Sequence, residues 1–312
     1  MGKKPTLKIG YLKITDHLIL GVTDLKLKKG METFEHCALQ PVVKNGWNEV
    51  ADDLTTKALD GAFILAPTAM DLYKTDVPIK LILFTHKSGS ILVKNKNADI
   101  QKIEDFAGKV VLIPYQLSVP NMLFHKLLSE KGLKPGRSNE KGVDVFLEVV
   151  APFQMPEAVQ YDEDGEIAGF VVAEPIGSQA IAHGNVEEFY LSKDIWPDHP
   201  CCVFVVRDEI IKKHPDAIQE ICNSLVRSGM AIDKQPESAA IIGADFLGQE
   251  RSVMESVLKD PRGRITTGSL LPNIKDLNTI QDYMVNNMKL MTDKLDMEKF
   301  VDLTFAKAAG AK

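Results

Sequence analysis

GWNEVADDLTTKALDGAFILAPTAM, residues 46–70, decides how this chain folds. Apolar residues at 47, 50, 51, 54 and 58 repeat at the spacing of one helix face, so Trp47–Leu59 is predicted as an amphipathic helix. Asp60-Gly61 ends it, because both residues leave helical geometry readily. AFIL at 62–65 is then a short unbroken apolar run, which fits a strand covered on both faces. Pro67 follows at the first turn of another helix, where its missing N–H is no loss. A buried strand between two helices is the repeating unit of a parallel sheet with right-handed crossovers.

The alternation extends in both directions. Upstream, LKIGY at 7–11 and QPVVK at 40–44 read as strands on either side of the apolar run 18–22. Downstream, IKLILFT at 79–85 and ILVK at 91–94 are further strands. The pattern restarts after Asp105–Gly108, with strands at 109–113, 144–150 and 167–172. Helices are predicted over 122–131, with Ser118 before it, and from Gln154 to Gln160. After CVFVVR at 202–207 the remainder reads as helical, over 215–234, 236–248, 273–291 and 297–309. These late helices are expected to pack back on the first unit and make it discontinuous.

Composition narrows the function. A length of 312 residues favours two compact units. A net charge of −6 argues against a general nucleic-acid or anionic-membrane surface, each of which needs a concentrated basic face. No stretch reaches the ~18 apolar residues of a membrane-spanning helix. The N-terminus enters a strand without the apolar segment of a signal peptide. Two compartments stay open: periplasmic or extracytoplasmic if a signal peptide has been removed, cytoplasmic otherwise. Cys37, Cys201, Cys202 and Cys222 show no C-x-x-C spacing, so four free, mostly buried thiols are expected rather than a disulfide framework or a zinc site.

Loops at the carboxyl ends of strands form the ligand crevice of open α/β sheets. Here they are 13–17, 66–68, 86–90, 115–120, 151–155 and 173–175. Thr68 and Ser118 stand at helix starts, where N–H groups suit an anion or a carbonyl oxygen, although ordinary N-capping accounts for each equally well. His17, next to Asp16, reads either as a ligand-binding or basic group or as a satisfied loop histidine. No His-x-x-x-His, Asp-x-Asp or carboxylate cluster is visible, so no metal and no cofactor is expected.

Six runs then carry a resemblance, in order: ITDHLILGV at 14–22, the quoted 46–70, LIPYQLSVPNMLFHKLLSEKGLKP at 112–135, VAPFQMPEAV at 150–159, GEIAGFVVAEP at 165–175 and WPDHPCCVFVVRDEIIKKHPDAI at 196–218. With these the chain resembles the solute-binding proteins of ABC importers for nitrate, bicarbonate, taurine and aliphatic sulfonates. The same superfamily holds binding and synthase proteins for the thiamine-pyrimidine precursor. The resemblance implies an α/β, type II periplasmic-binding-protein-like fold, two lobes with parallel-dominated sheets joined by a two-strand hinge at 92–94 and 202–205. Lobe one would be 1–92 with 203–312, and lobe two 93–202. It implies capture of a small polar or anionic solute by hinge closure, with permease and ATPase subunits as partners and a monomeric chain. Asp16, His17, Trp47, Thr68, Ser88, Gly89 and Ser90 would face Gln116, Ser118, Gln154 and Glu174 across the cleft. Trp47 reads equally well as the first core residue of its helix.

Two departures matter. The nitrate and bicarbonate branch shows Glu-Pro-Trp where this chain has Glu-Pro-Ile at 174–176, which weakens a claim to either anion in particular. The acidic Glu174 suits a zwitterion or an amine, or else pairs with an arginine or lysine. An enzyme on the same scaffold is the main rival, with a cytoplasmic sensor as a further alternative. The synthases share the His after the first strand and a cysteine-rich run after Trp-Pro-x-x-Pro, here Asp16-His17 and Cys201-Cys202. Their full run of three cysteines, Phe and Cys is absent, and residues 13–17 hold no desulfinase-type cysteine. A carrier without catalytic residues is therefore the expected reading.

Overall fold

The computed structural model describes residues 4–312. Its strands are β1 (Thr6–Tyr11), β2 (Ala38–Val43), β3 (Gly61–Leu65), β4 (Ile79–Phe84), β5 (Lys87–Ser88), β6 (Ser90–Asn95) and β7 (Val110–Ile113). They continue with β8 (Pro135–Gly136), β9 (Val145–Val149), β10 (Ile167–Ala173), β11 (Val186–Leu191), β12 (Cys202–Arg207) and β13 (Ile265–Thr266). Two larger sheets result. The first runs β2-β1-β3-β12-β4 and the second β11-β6-β10-β7-β9-β8, while β5 and β13 form a small pair between them in the chain.

Most neighbours are parallel: β2, β1 and β3 in the first sheet, and β10, β7, β9 and β8 in the second. The antiparallel members are β12, with Cys202 opposite Leu65 and Val203 opposite Phe84, and β6, with Ser90 opposite Ala173. Each is the strand that first receives the chain from the other sheet. The passages themselves are the segments 85–89, which holds β5, and 192–201, which opens with the short helix Ser192–Ile195, while 92–94 and 202–205 lie within β6 and β12. This is the two-lobe type II arrangement.

Side-chain alternation covers both faces of the first sheet. Leu7, Ile9, Phe63, Phe204 and Val206 face one core, which is closed by helices Leu18–Lys28, Pro215–Lys234 and Pro236–Leu247. Ala62, Ile64, Val203 and Val205 face the other, which continues without a break into Ile91, Leu112 and Phe170 of the second sheet. Strands buried on both faces need apolar residues at every position, which is why β3 and β12 read as continuous apolar runs. The C-terminal helices do return to the first sheet.

Local differences have simple causes. The helix after Gly46 is Trp47–Thr55, because Lys57 turns at φ 66° before the predicted end. The predicted helix 297–309 breaks into Met297–Phe300 and Thr304–Ala308 around Val301, which bridges to Leu81 of β4. Strand β11, VEEFYL, is an edge whose glutamates dilute the apolar signal. The helix Arg251–Lys259 buries only Val253, Met254 and Val257 and went unread.

Candidate functional site

The loops leaving β1, β2 and β4 meet the segments 151–154 and 173–174 from the second sheet. Contact is direct. Thr15 donates from both its N–H and its hydroxyl to the Glu174 carbonyl at 2.8 Å. Glu174 N–H donates to the Gly89 carbonyl at 2.9 Å, and Gly89 N–H to the Arg264 carbonyl at 2.8 Å. Gly89 holds φ 91°, and a Cβ there would stand 2.9 Å from Ile265 and 3.2 Å from Asp16 Oδ1. Only glycine fits this crossing without strain. Thr68 Oγ1 donates to the Leu117 carbonyl at 2.8 Å, a further link between the sheets.

Beneath these links lies a set of buried polar groups. Asp16 and His86 are both fully buried, with Asp16 Oδ2 3.0 Å from His86 Nε2. Burial alone would lower His86, but the charge of Asp16 and its hydrogen bond raise it to about 10. Cys202 Sγ lies 3.6 Å from the same carboxylate oxygen. The Cys201 thiol is drawn down by its contact with Cys202, with burial opposing and His86 assisting, whereas burial raises Cys202. All four cysteines are free and buried.

His17 stands with Nδ1 between the N–H and carbonyl of Leu12, at 2.9 and 3.0 Å, and its ring meets Trp47 edge-on at 5.8 Å. Burial, then the charge of His86, lowers His17 to about 3, so its ring is neutral at physiological pH. His17 Nε2, Trp47 Nε1, Asp16 Oδ1, Ser88 Oγ and Ser90 Oγ are buried without a protein partner. Buried polar atoms are ordinarily hydrogen-bonded, so five such atoms on adjoining loops mark a place built for something other than protein. Outside them a cleft of about 430 Å³ opens between Lys13, Val43, Lys44 and Asn45 of the first sheet and Ala151, Phe153 and Gln154 of the second.

The residues expected from sequence therefore separate. Asp16 stands beside Gly89, which Ser88 and Ser90 flank in the chain, His17 packs against Trp47, and Gln154 stands exposed at the cleft mouth. Ser118 caps helix Val119–Glu130, accepting from Asn121 N–H at 3.2 Å and donating to the Tyr115 carbonyl at 2.7 Å. Thr68 is not a cap. It sits inside helix Ala66–Lys74, its hydroxyl committed to Leu117. Gln116 turns to Arg137 at 2.6 Å, on the wall of a different, open groove of about 670 Å³. Glu174 pairs with an arginine, the second of the two readings it carried: Arg264 Nε donates to its Oε1 at 2.8 Å, and Ser178 supplies two further donors at 3.0 Å. Burial still raises the Glu174 carboxyl, with Arg264 opposing.

His86, His199, Arg264 and the two adjacent cysteines were not among the expected site residues. His86 does begin the loop after a strand, which was a usable signal. Arg264 lies 90 residues from its partner and gives none. Where spacing offered no metal-ligand set, the fold gathers Asp16, His86, Cys201 and Cys202 so that one donor atom of each lies within 4.8 Å of the others.

Comparison with known proteins extends this picture. The family model described as NMT1-like matches residues 1–244. A nitrate import ATP-binding protein, NrtC of Synechocystis, is 29% identical over 68% of this chain and 33% of its own length. The nitrate/nitrite binding protein NrtA of Nostoc is 24% identical over 73% of this chain and 54% of its own length. The chain thus spans about a third to a half of these relatives. Among solved structures, the ligand-binding component of an ABC-type import system from Staphylococcus aureus, with zinc bound, superposes with a TM-score of 0.86 at 24% identity, covering 98% of this chain and 99% of that one. The periplasmic nitrate-binding protein NrtA from Synechocystis gives 0.87 at 17% identity, covering 99% and 89%. At these identities the superpositions establish the fold.

Proposed function

The chain belongs to the NMT1-like family, and from that premise we propose that it is the solute-binding component of an ABC importer, working outside the cytoplasm with permease and ATPase subunits. Its lobes are the units built on the first and the second sheet, divided at the passages 85–89 and 192–201. They close on a small polar or anionic solute, nitrate-like or a sulfonate, held by Asp16, His17, Trp47 and Ser88–Ser90 from one side and by the segment around Gln154 and Glu174 from the other. The observation that carries this reading is the row of buried polar atoms without protein partners at the meeting of the two sheets. Trp47 Nε1 is a donor in any state, and a neutral His17 turns Nε2 inward. Lys13 places a positive charge at the mouth, where the neighbouring Lys44 is paired with Asp53. Membership supports the partners, since relatives in the same comparison are import ATP-binding proteins for nitrate and bicarbonate.

No helix among the described residues is long and apolar enough to cross a membrane. One observation favours a second reading, an enzyme on this scaffold: Cys201 beside His86 and Asp16 has the order of a nucleophile, base and orienting carboxylate. Against it, Cys201 is fully buried. Thermal shift against nitrate, bicarbonate, taurine and an alkanesulfonate tests the carrier reading. At about 100 times its dissociation constant a solute stabilises by ~2.7 kcal/mol, which raises Tm by about 5–10 °C in a chain of this class. Recovery of the stabilising solute in altered form would favour the enzyme instead.

A further inference from the structure

Asp16, His86, Cys201 and Cys202 come from three separate places in the chain: the short turn after β1, the residue two past β4, and the entry to β12. All four are fully buried, and one donor atom of each lies within 4.8 Å of the others. We propose that this quartet is a binding site for a single divalent ion of the zinc class, lying at the base of the cleft and sharing Asp16 with the proposed solute site. Two thiols, one imidazole and one carboxylate form a donor set suited to tetrahedral zinc. Donors at about 2.0–2.3 Å from such an ion stand about 3.3–3.8 Å apart, so no pair of ligands need close by more than about 1.0–1.5 Å. Thiolates also discriminate against calcium and magnesium, which prefer oxygen shells.

The unpartnered atoms carry the argument beyond clustering. Asp16 Oδ1 and His86 Nδ1 are buried with no hydrogen-bond partner, so the Asp16–His86 pair leaves one atom of each side chain unsatisfied. A fully buried carboxylate with one oxygen unpartnered is costly. A divalent ion held at Asp16 supplies the contact that its Oδ1 lacks and offsets all but one of the negative charges of the carboxylate and two thiolates. Binding releases the two thiol protons and the extra imidazole proton to solvent, leaving both sulfurs as thiolates and the ring neutral. The site has built support as well. Thr85 Oγ1 donates to the Cys202 carbonyl at 3.1 Å, and Ser88 N–H donates to the His199 carbonyl at 2.8 Å. These bonds fasten together the two passages between the sheets, so a bound ion would stiffen the base about which the lobes move.

Cobalt(II) is the probe. The full chain, stripped with chelator and dialysed, is titrated with cobalt and then with zinc. The expected result is one equivalent of cobalt giving a thiolate-to-cobalt charge-transfer band and the intense visible bands of a tetrahedral ion, both abolished by zinc. Calcium and magnesium should have no effect. Cys201→Ser with Cys202→Ser should remove the charge-transfer band and weaken zinc by more than the roughly 10–100-fold that loss of a mere supporting contact costs. Cys37→Ser with Cys222→Ser should leave both unchanged. Should the first double variant not fold, wild-type protein decides: zinc should slow alkylation of Cys201 and Cys202, mapped by mass spectrometry, and not that of Cys37 and Cys222. Absence of the band in folded wild-type protein overturns the proposal. So does a band that survives loss of Cys201 and Cys202, or equal zinc protection of all four thiols. The solute thermal shift is read on stripped protein, so failure of either proposal is seen independently of the other.

Discussion

At the scale of single residues, the decisive partnership is Glu174 with Arg264. The carboxylate is fully buried and the guanidinium side chain 6% exposed, and Arg264 also reaches Ser178 at 3.1 Å and Glu188 at 3.3 Å. A buried pair of this kind adds little over an apolar replacement, but removing one partner strands the other charge. Arg264→Ala should therefore lower unfolding stability by about 3–5 kcal/mol in chemical denaturation. A loss below about 1 kcal/mol would mean that Glu174 is solvated in solution. The sequence left Glu174 with two readings, ligand contact or ion pair. Only the fold chooses, because a contact spanning 90 residues has no local signature.

At the scale of elements, the sequence was most legible where both faces of a strand are covered. β3 and β12 announce themselves as unbroken apolar runs, and the long helix Pro215–Lys234 appears with both predicted ends. Legibility fails at edges and exposed helices: β11 places two adjacent glutamates before Phe189 and Tyr190, and Arg251–Lys259 buries three side chains. Ser118 shows the same limit within the site. Position places it in a crevice loop, while its hydroxyl is spent on capping helix Val119–Glu130. Ser118→Ala should cost about 0.5–2 kcal/mol of stability, read as a lowered Tm. A loss of solute affinity with Tm unchanged would show instead that the hydroxyl turns to the ligand.

At the scale of the whole molecule, two sheets exchange one strand each way, so that short passages at 85–89 and 192–201 join bodies with their own loops and a shared core. Only contacts completed when such bodies come together can favour the closed form, and a ligand held equally by both forms shifts nothing. The resemblance supplied this architecture, but not the cluster of cysteines, histidine and aspartate at its base, which no spacing reveals. The central claim is solute capture by polar atoms left free at the meeting of the lobes. Titration calorimetry tests it most directly, comparing wild-type chain with Trp47→Phe, which keeps the ring and deletes its buried N–H. With nitrate, bicarbonate, taurine and an alkanesulfonate as titrants, the account predicts a single-site isotherm for at least one of them, of micromolar affinity or about −8 kcal/mol. It predicts that the variant weakens that binding about five- to hundredfold. Flat isotherms for all four solutes, or a variant that binds as tightly as wild type, would contradict it.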